Sequence, residues 1–124
     1  MKNHFTWKAR GASFSYAFKG LIALFRTEHN AWIHCGLTIA SLLLSIVLHI
    51  SETEWMLLII IISFVWMAEI INTAIEKTMD FISLEKHPQI KLVKDLAAAA
   101  VLVSAVAALF IGTIIFLPKL IMYV

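Results

Sequence analysis

The chain has 124 residues, of which 61% are hydrophobic and 15% are charged, and its formal net charge is +2. Soluble domains carry about 45–50% apolar and about 25% charged residues, so this composition excludes a disordered chain and argues against an ordinary soluble domain. The small net charge does not indicate a nucleic-acid partner. Four Gly, two Pro and one Cys argue against a turn-dense β architecture and exclude an intramolecular disulfide. We therefore expect a single all-α domain over residues 1–124.

The first predicted element is an amphipathic surface helix over about residues 8–30. Its apolar residues recur at spacings of three and four beside a basic face, which is typical of a helix lying on a membrane surface. No small-residue cleavage site follows a short apolar core, so a cleavable signal peptide is not indicated. A simple flank of a signal anchor stays open as an alternative.

Three apolar segments follow, at about residues 31–50, 55–76 and 96–117. A helix needs about 20 apolar residues to cross the hydrocarbon core of a bilayer, so each segment predicts a transmembrane helix. The alternative is a soluble helical hairpin with one further helix. It is disfavoured because so short a chain has too little polar surface to cover three such helices in water.

The charges beside these segments predict the orientation of the chain. Basic residues precede the first span and fill the second loop, at Lys2, Lys8, Arg10, Lys19, Arg26, Lys77, Lys86, Lys91 and Lys94. The loop at residues 51–54 carries only Glu52 and Glu54. The positive-inside rule therefore places the N-terminus and the second loop in the cytoplasm and the C-terminus outside. Lys119 is a single exception, which we expect to snorkel to the outer surface.

Carboxylates cluster on one face of the second span. At about 100° per residue, Glu69, Glu76 and Asp80 share that face, with Asn72 and Thr73 beside them. An ionisable group within a span must face protein or water, which makes Glu69 a functional candidate. Glu76 and Asp80 by themselves would equally fit a solvated helix end.

Carboxylates beside lysines suit a hard divalent cation that bridges to phosphate. Magnesium usually takes one or two carboxylates together with water and substrate phosphates. Glu28 lies at the far end of the surface helix and reaches the same interface as Glu76, so the two are expected to share one ion. The chain has no Walker A motif, no Gly-rich dinucleotide loop and no kinase-type catalytic signature. A nucleotide site would have to be built from these helices.

Three sequence blocks resemble one known family. Residues 26–34 read RTEHNAWIH, residues 69–80 read EIINTAIEKTMD, and His87 and Pro88 are followed at residues 94–101 by KDLAAAAV. These blocks resemble the small bacterial integral-membrane lipid kinases, which comprise the diacylglycerol kinases and the undecaprenol kinases. The resemblance spans about residues 8–118. It implies three spans, one surface helix, ATP as co-substrate, the bacterial inner membrane, and a homotrimer whose sites form between subunits.

The resemblance also implies roles for individual residues. Glu69 matches the general base that takes the proton of the lipid hydroxyl, and Glu28 and Glu76 match the carboxylates that hold Mg²⁺. Asn72 and Asp80 match supporting polar residues. The expected nucleotide-binding residues are Tyr16, Glu28, Glu76, Glu85, Lys86, His87, Lys94 and Asp95.

Departures from the family pattern bear on the acceptor. Ala9 replaces a basic residue that contacts ligand in the diacylglycerol enzymes, so Arg10 is expected to serve instead, and His34 stands where those enzymes have a glutamate. The expected substrate-binding residues are Arg10, His34 and Glu69. Resemblance to the undecaprenol branch is carried by Asn30, His34, Thr73 and the FLPKL ending at residues 116–120. We therefore expect undecaprenol as acceptor, with diacylglycerol as the alternative.

Other classes of function remain open on sequence grounds. A small oligomeric channel, a holin or an ion-coupled carrier also uses few spans and an intramembrane glutamate. Such a protein would not need Asn72, Glu76 and Lys94 together on one side of the membrane. An assembly subunit without activity would tolerate replacement of Glu69.

Overall fold

The computed structural model describes residues 4–124, so Lys2 of the predicted basic flank lies outside the described part. This part contains four helices and no strand: α1 Trp7–Thr27, α2 His29–Val47, α3 Glu52–Ile82 and α4 Pro88–Ile121. The last three are long and apolar enough to cross a membrane. The expected all-α architecture with three candidate spans after an N-terminal helix is confirmed.

The first two helices are separated by a single extended residue, Glu28 (φ −118°, ψ 114°). The predicted surface helix therefore ends at Thr27 rather than at residue 30. The carbonyls of a final helical turn lack partners within the helix. Here the Glu28 N–H donates to Leu24 O at 2.9 Å, and Trp32 Nε1 donates to Phe25 O at 2.9 Å. The Trp32 ring also meets Phe25 edge-on at 5.1 Å, which fixes the bend.

The turn between α2 and α3 has the Schellman geometry of a helix end. His49 N–H donates to Ile46 O, and Ile50 N–H donates to Ser45 O, each at 3.3 Å. His49 lies in the left-handed region at φ 49°. Glycine usually occupies this position because it has no Cβ to clash there. Ile50 is buried in a cluster against which Leu44 packs, in keeping with the apolar contact that often accompanies this motif.

A capping box starts α3. Ser51 Oγ accepts from the Glu54 N–H at 3.2 Å, and the Glu54 carboxylate accepts from the Ser51 N–H at 2.8 Å. The other carboxylate oxygen of Glu54 accepts from Lys119 Nζ at 2.9 Å, which joins α3 to the last turn of α4.

Helices α3 and α4 form the main packed pair, whereas α2 contacts α3 at fewer points. Small residues on α4, such as Ala97 and Ala108, let the two backbones approach closely, as is usual for helices in lipid. A buried cluster lies at the end of the pair near the α2–α3 turn and consists of Leu48, Ile50, Leu58, Ile61 and Ile115. The looser seating of α2 leaves space between α2 and α4.

Both long helices extend past the apolar segments predicted from sequence. At 1.5 Å per residue, the 31 residues of α3 span about 46 Å, which exceeds a hydrocarbon core of about 30 Å. Helix α4 begins at Pro88, where the missing N–H of proline is harmless, and His87 caps it. It also continues through Pro118, whose ring nitrogen can make no helical hydrogen bond. The polar end of α3 therefore projects beyond the apolar layer.

Candidate active site

A buried carboxylate of α3 is paired with a histidine of α2. Glu69 is 3% exposed, and its Oε1 lies 2.8 Å from Nε2 of His34. The His34 ring meets the Trp66 ring edge-on with centroids 6.3 Å apart, and Trp66 Nε1 donates to Thr38 Oγ1 at 3.0 Å. Since buried polar groups need hydrogen-bond partners, these bonds let α2 and α3 hold a polar cluster within their apolar segments.

The next turn of α3 carries polar atoms that the chain itself does not satisfy. Asn72 Nδ2 donates to Glu76 Oε1 at 3.3 Å. Asn72 Oδ1 and Thr73 Oγ1 are buried and find no hydrogen-bond partner within residues 4–124. A buried polar atom of this kind destabilises the fold unless a ligand, an ion or water satisfies it. The Asn72 oxygen is therefore a ready ligand for a cation or a hydroxyl group.

The length of α3 allows Glu69 and Glu76 to lie on either side of a membrane boundary. From Glu54, Glu69 lies about 22 Å and Glu76 about 33 Å along the helix, at 1.5 Å per residue. A hydrocarbon core about 30 Å thick that begins at the first turn of α3 ends between these two carboxylates. A lipid headgroup and a water-soluble donor meet at such a boundary.

Glu28 approaches the same part of α3 from the α1–α2 junction. Its Oε1 lies 3.8 Å from Nζ of Lys77, the residue that follows Glu76. Both side chains are partly exposed, and ion pairs of this kind contribute little free energy. A cation can therefore replace Lys77 beside Glu28 with little loss of stability.

The side chains predicted to hold a metal suit magnesium better than a softer metal. In the described part of the chain, no three His, Cys, Asp or Glu side chains gather into a metal-binding group. Magnesium does not need such a group, because substrate phosphates and water complete its shell. The carboxylates of Glu28 and Glu76 and the free oxygen of Asn72 are all hard oxygen donors.

The loop between α3 and α4 brings together another set of predicted residues. It borders a cavity of about 640 Å³, lined in part by Asp80, Glu85, Lys86, His87, Lys94 and Asp95. Lys94 donates to Asp80 and so links α4 to α3, whereas Lys91 donates to Asp95 within α4. Ammonium groups at a cavity wall suit the binding of phosphate oxygens.

Two predicted ligand contacts on α1 lie apart from these groups. Tyr16 is 68% exposed, and Lys19 Nζ lies 5.8 Å from the centre of its ring. The Arg10 guanidinium lies over the Phe5 ring at 5.1 Å. These contacts are local to the N-terminal segment of the chain.

A second cavity, also of about 640 Å³, opens between α2 and α4. His34 and Thr38 line it beside apolar side chains that include Leu37, Val65, Leu109, Phe116 and Leu120. It runs along α4 for about 22 Å between Ala105 and Leu120, at 1.5 Å per residue. An apolar lining with a few polar groups is typical of a pocket for a largely hydrocarbon ligand.

The sequence interpretation missed the bond between His34 and Glu69. The sequence contains a feature that suggests this bond, since His34 and Glu69 are each an ionisable residue within an apolar segment. In an antiparallel pair joined by a tight turn, residues equally far from the turn lie side by side. His34 and Glu69 lie about 21 Å and about 27 Å from their ends of the turn, so their contact also requires a stagger of about 6 Å between the helices, which this rule does not predict. Two ionisable groups in apolar segments are expected to pair, because no water is present there to stabilise them.

Comparison with known proteins identifies the family. A sequence profile described as prokaryotic diacylglycerol kinase matches residues 15–116. The chain belongs to this family. The expected family and class of enzyme, a membrane lipid kinase, are thereby confirmed, and a channel, a holin or a carrier is set aside.

Individual relatives show how far the similarity extends. An undecaprenol kinase of Bacillus subtilis is 42% identical over 108 residues, covering 87% of this chain and 88% of that protein. A diacylglycerol kinase of Synechocystis sp. is 34% identical over 109 residues, covering 87% and 62% respectively. A diacylglycerol kinase of Pseudomonas aeruginosa is 34% identical over 85 residues, covering 68% and 69%.

Proposed function

We propose that this chain transfers the γ-phosphoryl group of ATP to the hydroxyl group of a membrane lipid alcohol, and that the acceptor is undecaprenol. The observation that carries the proposal is the position of Glu69. Its carboxylate is buried in a span, bonded to a residue that lines the apolar cavity, and two helical turns from Glu76. This arrangement suits a base that acts on a lipid hydroxyl next to a phosphate-binding site.

The chemistry assigned to Glu69 is general-base catalysis. Its carboxylate accepts the proton of the acceptor hydroxyl while that oxygen forms a bond to the γ-phosphorus. The bond between the γ-phosphorus and the bridging oxygen breaks, and ADP leaves with that electron pair. Phosphoryl transfer depends mostly on positioning and on charge stabilisation, so the remaining residues bind and orient the reactants.

Binding of the donor is assigned to the polar end of the helices. Glu28 and Glu76 would hold Mg²⁺, which neutralises phosphate charge when bound, and Asn72 orients Glu76 through its hydrogen bond. The loop cavity would take the nucleotide, with Lys94 at the phosphates and Asp80 positioning Lys94. Contacts to nucleotide are also proposed for Tyr16, Glu85, Lys86, His87 and Asp95.

The choice of undecaprenol is supported by similarity and by the apolar cavity. The undecaprenol kinase matches more of its own length, and at higher identity, than the diacylglycerol kinases of Synechocystis and Pseudomonas. A polyprenyl chain with its hydroxyl at Glu69 would extend along the cavity between α2 and α4. Arg10 is the further residue proposed at the substrate, and His34 would lie next to the reacting hydroxyl through its bond to Glu69. Diacylglycerol is the second candidate, because other relatives bear that name.

The assembly and the orientation are part of the same proposal. A homotrimer in the bacterial inner membrane, with sites between subunits, would let one chain's α1 bring Tyr16 and Arg10 to a neighbour's α3. The charge pattern supports a cytoplasmic N-terminus and an external C-terminus. In a Cys35→Ala background, an impermeant thiol reagent should label Glu52→Cys on intact cells and should label Glu85→Cys only after permeabilisation. The reverse pattern would overturn the orientation.

The decisive experiment is an acceptor panel. Detergent-purified protein is incubated with γ-labelled ATP, Mg²⁺ and either undecaprenol, diacylglycerol or ceramide, and the labelled lipids are separated. We expect label in undecaprenyl phosphate at a higher kcat/KM than in phosphatidic acid. Preferential labelling of diacylglycerol would make diacylglycerol, rather than undecaprenol, the favoured acceptor. The absence of any labelled lipid would refute the proposal.

A further inference from the structure

The bond between His34 and Glu69 has a direct bearing on the proposed base. The two side chains are 16% and 4% exposed, so the bond lies away from bulk water. A general base must be ionised, and an ionised carboxylate only accepts hydrogen bonds, so in the proposed function the Nε2 atom of His34 would carry the proton and donate it to Glu69 Oε1. This leaves the second carboxylate oxygen of Glu69 available for the proton of an acceptor hydroxyl.

The surroundings of His34 fix its ring. Trp66 packs edge-on against the imidazole, and its own orientation is set by the bond from Nε1 to Thr38 Oγ1. His34 and Thr38 both line the apolar cavity. A donor held in this way can restrict the rotamer of Glu69, whose partner His34 lines the space where the lipid would lie.

We propose that His34 is a positioning residue for Glu69: its Nε2–H holds one carboxylate oxygen and aims the other toward the hydroxyl at the polar end of the apolar cavity. This inference rests on the proposed function. It differs from a direct contact between His34 and the lipid, which would act on lipid affinity. A misplacement of about 1 Å in a reacting group lowers rates by about 10²-fold, so the positioning has a measurable effect.

A pair of conservative substitutions tests the positioning. The amide nitrogen of His34→Gln can occupy the place of Nε2, whereas the amide of His34→Asn is one bond too short. We expect His34→Asn to lower kcat by about 10–100-fold with unchanged KM for ATP and lipid, and His34→Gln to retain most of the parental kcat. Matched substitutions at the exposed His4 control for general effects on the protein. Equal kcat values for His34→Asn, His34→Gln and parent would overturn the positioning role, as would a change confined to the KM for lipid.

A double-mutant cycle separates positioning from a structural role. If His34 acts through Glu69, then His34→Asn should not lower the residual kcat of Glu69→Gln any further, because the base is already absent. Additive losses would show that His34 acts independently and would overturn the inference. The proposed function fails separately, when Glu69→Gln by itself retains the parental rate. Should His34→Asn unfold in detergent, His34→Leu takes its place, because leucine cannot donate a hydrogen bond to Glu69: a lower kcat than that of His34→Gln supports the positioning role, and a kcat equal to that of His34→Gln overturns it.

Discussion

Replacing Glu69 by glutamine separates its role as a base from its role in the fold. Glutamine keeps the length of the side chain and an oxygen that can accept from His34 Nε2, at the position where the bond is now 2.8 Å long. It cannot accept a proton at neutral pH. The change therefore removes one chemical property from a side chain that is 3% exposed, without creating a cavity.

The expected magnitudes differ sharply for rate and stability. Loss of a positioned general base lowers kcat by about 10²–10⁴-fold, or about 3–5 kcal/mol in the barrier. A hydrogen bond to a charged group contributes about 1.5–3 kcal/mol and one between neutral groups about 0.5–1.5 kcal/mol, so the bond to His34 weakens by about 1 kcal/mol. Burying an amide instead of a carboxylate offsets this loss, because the desolvation penalty is smaller. Stability should therefore change by at most about 1 kcal/mol.

The assay measures initial rates in mixed micelles with undecaprenol while ATP is varied, together with thermal unfolding of the same preparations. Glu69→Asp keeps a carboxylate but withdraws it by about one carbon–carbon bond of 1.5 Å, so its kcat should lie between those of parent and Glu69→Gln. Glu52→Gln is the matched control, since it makes the same change at an exposed position at the other end of α3. A folded Glu69→Gln protein that phosphorylates the lipid at the parental rate would refute the assignment.

Three further predictions concern the metal, the nucleotide and the turn. Glu28→Gln and Glu76→Gln should each raise the magnesium concentration needed for half-maximal activity by about 10–100-fold or more, because even residues that only orient a metal ligand have effects of that size. An unchanged dependence of activity on magnesium concentration in both variants would exclude a shared ion. Lys94→Gln should raise the KM for ATP by about tenfold or more, because it removes a charged contact to phosphate. Lys119→Gln is the control and should leave the KM for ATP unchanged. Equal KM values in the two variants would contradict the proposed nucleotide site. His49→Gly should stabilise the detergent-solubilised protein by up to about 1 kcal/mol. A left-handed conformation costs about 1–2 kcal/mol for residues with a Cβ, and the greater freedom of glycine in the unfolded chain offsets part of the gain from removing that cost. A lower unfolding temperature would show that the His49 side chain stabilises the turn.

Much of the fold follows from patterns along the chain. Apolar segments of about 20 residues dictate helices in lipid, since a spanning segment must satisfy its own backbone hydrogen bonds. The gap between the first two apolar segments predicts a loop at residues 51–54, whereas the turn lies at residues 48–51 and Glu52 and Glu54 belong to the first turn of α3. The cluster of Glu69, Asn72 and Glu76 follows from helical periodicity, because residues three, four and seven apart share a face.

The helix ends were harder to predict because they depend on side chains that meet after folding. The bend at Glu28 depends on Trp32 reaching the carbonyl of Phe25. Helix α3 extends to Ile82, and Lys94 of α4 donates to Asp80 near this polar helix end. Composition by itself places such polar residues in a loop.

By itself, the sequence determined on which helix face the candidate residues lie, because period and spacing are local properties of one chain; the chemistry that these residues carry is a prediction. Only the tertiary structure decided which groups meet between helices. It placed His34 against Glu69, joined Lys119 to Glu54, and left an oxygen of Asn72, next to Glu76, without a hydrogen-bond partner among residues 4–124. These contacts depend on the rotation and stagger of one helix against another, which packing fixes and which no pattern within a single helix encodes.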